Sequence, residues 1–90
     1  MEIPILLGSR PSIANPGIWV PIRFDRWFVR VEGLVDSKLT LHSNGPVKNK
    51  VKIILPTMNG AIYMGPCQVR VEFKERGTER NVSVFVVEHE

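Results

Sequence analysis

The side chains that most often carry reactions are few in this chain and far apart. Histidine occurs only at His42 and His89, and Cys67 is the single cysteine. A nucleophile needs a base within hydrogen-bond reach, and a bound zinc needs three or four His, Cys or carboxylate ligands at characteristic spacings. Neither histidine has a serine, cysteine or carboxylate at the spacing of a nucleophile elbow or a zinc motif. His42 is therefore expected to be exposed or packed at a turn. Asp25 and Asp36 could form a carboxylate pair for glycoside or phosphate chemistry, but isolated aspartates at strand ends are more often turn formers. "GPVKNKVK" (45–52) has a glycine and lysines, yet lacks the second glycine and the Ser or Thr of a phosphate-binding loop. One cysteine makes no internal disulfide and no thiolate cluster, so Cys67 is expected to be a buried structural thiol. No catalytic residue, metal ligand or cofactor site is assigned. Enzyme is the least supported class.

Binding chemistry is denser. Both tryptophans fall between Gly17 and Gly33, in "GIWVPIRFDRWFVRVEG", with Phe24, Phe28, Arg23, Arg26 and Arg30. Such rings can be core, a stacking surface for bases, or a contact for another protein. Trp27 alternates with Val29 and Val31, which assigns it to a core. Trp19 in "IWVPI" shares its side with Pro21 and Arg23, which leaves it at the surface. Exposed tryptophan and arginine are enriched at interface hot spots. The partner-binding candidates are Trp19, Arg23, Arg26, Phe28, Arg30 and Phe85. Lys48, Lys50 and Lys52 form a candidate basic face. With the aromatic residues they could serve single-stranded nucleic acid, as small β-barrels do.

The net charge of +3 is modest for a phosphate binder. Its distribution is uneven: residues 46–71 hold Lys48, Lys50, Lys52 and Arg70 with no acid, whereas from Glu72 onward five acids face three bases. That opposition allows pairing with copies of the same chain or with an acidic partner.

Alternation predicts the elements that position these groups. "WFVRVE", "KLTLH", "KVKIIL" and "VRVEFK" each read apolar on one face and polar on the other, the pattern of half-buried antiparallel strands. "NVSVFVVEH" sets Val82, Val84 and Val86 against Ser83, Phe85 and Val87, a strand covered on both sides. "SNGP", "MNG" and "ERGTER" punctuate the runs as turns. Seven prolines and seven glycines leave no room for a capped amphipathic helix. The expected fold is all-β, a small antiparallel β-sandwich or barrel of residues 17–90. Residues 1–16, with Pro4, Pro11 and Pro16, are expected to form an extended proline-rich arm.

Ninety residues make one domain near the lower limit for a self-sufficient core, which association would stabilise. The apolar runs are too short to span a membrane, and Glu2 stands where a secretory signal would be basic.

"NPGIWVPIRFDRWFVRVEGLVDSKLTLH" resembles the small all-β structural proteins of tailed bacteriophages. The resemblance lies in Trp19, Pro21 and Ile22, then Trp27, Phe28 and Val29, then Leu39, Thr40 and Leu41. It implies a non-enzymatic virion component, a capsid decoration (cement) protein or a head or tail accessory. Its partners would be a major capsid or tail protein and copies of itself, with the host cytoplasm as its location before assembly. A phage-encoded inhibitor of a host protein is an alternative in the same setting. Nucleic-acid binding remains the alternative from outside it.

Overall fold

The computed structural model describes residues 1–7, 17–34, 39–44, 61–73 and 81–90, together with the backbone of 51–55. Eight strands are present: β1 (Glu2–Leu7), β2 (Val20–Ile22), β3 (Arg26–Glu32), β4 (Leu39–Asn44), β5 (Val51–Leu55), β6 (Tyr63–Met64), β7 (Cys67–Phe73) and β8 (Ser83–Glu88). They form two four-stranded antiparallel sheets, ordered β1-β8-β3-β6 and β2-β7-β4-β5. The fold is all-β, and of the two expected architectures it is the sandwich.

Period-two alternation decides what lies between the sheets. Trp27 and Val29 of β3, and Val84 and Val86 of β8, turn inward from the first sheet. Leu39 and Leu41 of β4, with Val69 and Val71 of β7, meet them from the second. Successive side chains of a strand point to opposite faces, so each inward residue is flanked by outward ones. Burial of these aliphatic and aromatic side chains is the main stabilising term, at about 1.5–3 kcal/mol for each large one.

Residues 2–7 of the segment expected as an arm are strand β1, at the edge of the first sheet beside β8. The register jumps between Pro4 and Leu6, so Ile5 is an extra residue and both Ile5 and Leu6 are buried. An edge strand tolerates Pro4, which has no N–H to donate, and a bulge there turns the edge away from further pairing. Residues 8–16, with Pro11 and Pro16, lie outside the described residues.

Short connections lock the end of the first sheet. The amide of Gly65 donates to the Asp25 carbonyl (2.7 Å), and the Trp27 indole Nε1 donates to the Gly65 carbonyl (3.1 Å). The Trp27 and Tyr63 rings pack at 5.0 Å between centroids. Asp25 thus acts through its backbone at a bend, the turn role expected of it.

Candidate binding faces

The outer face of the first sheet collects side chains that the sequence scatters. In register, Pro4 lies beside Phe85 and Phe85 beside Arg30; one step along, Glu2 lies beside Val87 and Val87 beside Phe28. Arg26 pairs with Met64 at the far edge, and Met64 is 65% exposed. Phe28, Val87 and Phe85 are half-buried, because among the described residues only same-face neighbours and no second layer cover them. His89 closes the end of this face, its ring edge-on to Phe28 at 6.4 Å.

One ion cluster crosses this apolar surface. Arg30 Nη2 donates to Glu2 Oε2 (2.8 Å) and Oε1 (3.0 Å), and Arg30 Nη1 donates to Glu32. The guanidinium carbon lies 4.3 Å above the centre of the Phe85 ring. The Glu2 carboxylate holds the Arg30 proton more firmly than usual, with Glu32 adding to the effect. Arg30 is therefore matched within the face before any partner arrives.

The second sheet presents different chemistry. Its outer rows are Pro21–Gln68–Asn44, then Arg70–His42, then Glu72–Thr40, and the backbone of β5 pairs Lys52 with His42 and Ile54 with Thr40. Trp19, just ahead of β2, is 40% exposed, and the Arg70 guanidinium lies 5.3 Å from its ring centre. Glu72 sits 3.5 Å from Arg70 Nη1 and 3.7 Å from His42 Nε2. The latter distance is too long for a hydrogen bond, so His42 Nε2 is buried with no such partner among the described residues. His42 stands mid-strand and half-buried, not at a turn, because β4 runs through it.

The structure thus divides the partner-binding candidates. Phe28, Arg30, Phe85 and Arg26 share the first sheet's outer face. Trp19 belongs to the second sheet, and Arg23 follows β2 at an open depression with Pro21, Pro66, Cys67 and Gln68. Lys52 lies in β5, while Lys48 and Lys50 lie outside the described residues. Trp27 is core, as its alternation requires, and so is Phe24. Cys67 is buried and free, and burial pushes its thiol pKa up. A raised pKa leaves less thiolate and a less reactive sulfur.

Pro4, Val87 and Met64 complete the first face, and Arg70 completes the second. Pro4 is hidden from sequence reasoning because it reads as a strand breaker. Arg70 shows itself only as the polar position of an alternating strand. Among the described residues, no three His, Cys, Asp or Glu side chains come together to hold a metal ion. Comparison with protein-family models, curated proteins and solved structures finds no match to this chain.

Proposed function

We propose that this chain is a non-enzymatic adhesion protein, a virion component of the capsid decoration or head or tail accessory class. It associates with copies of itself through the outer face of the first sheet. The observation that carries the adhesion reading is the coplanar cluster of Pro4, Phe28, Phe85 and Val87 around a charge-matched Arg30. The virion setting rests on the resemblance of residues 15–42 to phage structural proteins.

Two physical points favour a second copy as the occupant. An unmatched arginine is costly to bury, but Arg30 already bonds Glu2 and Glu32. The face also carries both signs, Arg26 and Arg30 with Glu2 and Glu32, so it is complementary to itself under a two-fold axis. Three strands of six or seven residues and the two-residue β6, spaced about 4.8 Å apart, give a footprint of roughly 330 Å². That is less than half of one side of a standard protein interface, about 800 Å². A single contact is then weak, and repetition on a symmetric shell would supply the strength through avidity.

Light scattering after size-exclusion chromatography tests this, at low and at high salt and at several concentrations. The wild type is expected to self-associate in both salts, since apolar contacts survive screening. Phe85→Ser with Phe28→Ser should leave a folded monomer. A wild type that stays monomeric at high concentration in both salts would refute the reading, as would a double variant that associates equally well.

A further inference from the structure

Self-association through the first sheet allows two orientations of the second copy, and the charges on that face select one of them. Resting on that adhesion reading, we propose that two copies stack their first sheets about a two-fold axis running across the strands. Arg26 of each copy then meets Glu32 of the other.

The face is built in four rows. Arg26 stands beside Met64 and, past the end of β8, beside His89, whose amide donates to the Arg26 carbonyl (3.0 Å). Next come Phe28–Val87–Glu2, then Arg30–Phe85–Pro4, then Glu32–Ser83–Leu7. Charge is split between the two ends. Arg30 is shared by Glu2 and Glu32, so that cluster carries one net negative charge, and Glu32 is its more exposed carboxylate. Arg26 is exposed and has no carboxylate partner among the described residues. Glu88, in register with the core residue Trp27, alternates away from this face and does not offset it.

Stacked sheets keep their strands within about 30° of each other. A two-fold axis in the interface therefore runs either close to the strand direction or close to perpendicular to it. An axis along the strands sets each row against its own copy. It gathers both Arg26 side chains at one end and both Glu32 side chains at the other, and like charges brought together oppose association. An axis across the strands reverses the rows. Arg26 then faces Glu32, Phe28 faces Arg30, and Val87 faces Phe85. Both net charges are offset, and ring meets guanidinium, as Phe85 and Arg30 already do within one chain at 4.3 Å. Arg26 and Glu32 are the two ends of β3, so each lies about 10 Å from such an axis. A packing angle of about 30° shifts them by about 5 Å, an offset that a long arginine side chain can follow. The contact is isologous and closes after two copies.

The test is sedimentation equilibrium of the full chain at low salt, where exposed charge pairs count most. The wild type should level off at two copies. Arg26→Glu and Glu32→Arg each turn two attractive pairs of the dimer into repulsive ones, and each should weaken association about tenfold. An equimolar mixture of the two single variants should restore it, because each copy then offers what the other lacks. The double variant Arg26→Glu with Glu32→Arg, whose net charge equals that of the wild type, should restore it too. Misfolding would not be repaired by mixing. Single variants that associate as the wild type does, or a mixture no tighter than its components, would overturn the orientation and leave self-adhesion standing. A wild type that stays monomeric at high concentration would overturn both.

Discussion

Gly33 ends β3 with φ of +82°, and a Cβ placed on it would fall inside the radius of the Asn81 carbonyl oxygen and 3.1 Å from that carbonyl carbon. Gly33→Ala thus meets two penalties. The left-handed backbone costs about 1–2 kcal/mol for a residue with a Cβ. The clash is with backbone just before β8, which must shift, at about 1–3 kcal/mol by analogy with overpacking. Stiffening of the unfolded chain returns about 0.4–1 kcal/mol. The net loss is about 2–4 kcal/mol, against a total of roughly 5–13 kcal/mol for a domain of this size. Gly17 is the internal control. Its φ is +99°, yet among the described residues nothing lies within 4 Å of its Cβ position, so Gly17→Ala carries the backbone penalty alone. With a urea m-value of about 1 kcal/mol/M, Gly33→Ala should lower the midpoint by about 2–4 M and Gly17→Ala by about 1 M or less. Midpoints within about 0.5 M of each other would refute the close approach of Gly33 to Asn81, and with it the tie between β3 and β8.

Two neighbours on β8 should respond oppositely. Val84→Ala, fully buried between the sheets, should cost about 2–3 kcal/mol in urea unfolding. Phe85→Ala, on the outer face, should cost less than about 1.5 kcal/mol through its lost stack with Arg30. The reverse ranking would mean that β8 faces the other way. Burial raises the pKa of Cys67 and of Tyr63. The unfolded chain therefore releases these protons first, and the folded state binds more protons through the alkaline range. Stability should fall as pH rises above about 8.5 for the thiol and about 10 for the phenol, each continuing up to its folded pKa. Cys67→Ala should remove the thiol part of that decline in urea midpoints between about pH 8.5 and 10. An unchanged decline would show that Cys67 ionises equally in both states.

Much of the fold was legible wherever a strand has one wet face. β3, β4, β7 and β8 alternate cleanly, and their inward sets follow from that alone. β1 was not legible. Its bulge at Ile5 breaks the period, so Ile5 and Leu6 are buried in succession, and Pro4 looks like punctuation. β2 and β6, of three and two residues, are too short for any period to show. The binding candidates were legible as types but not as neighbours. Phe28 and Phe85 are 57 positions apart in sequence (85 − 28), and the register of β3 with β8 brings them to one face.

By itself the sequence determined the class of structure, the inward faces of four strands, the core role of Trp27 and the burial of Cys67. Those follow from local alternation and side-chain chemistry, which need no distant partner to be read. Only the tertiary structure decided that the chain makes a sandwich, that residues 2–7 serve as an edge strand, and that Phe28, Phe85, Arg26 and Arg30 gather on one sheet while Trp19 meets Arg70 on the other. Strand order and register are choices among non-local pairings. A shift of one residue would exchange every inward side chain for an outward one, so the buried core selects the register that sets both faces.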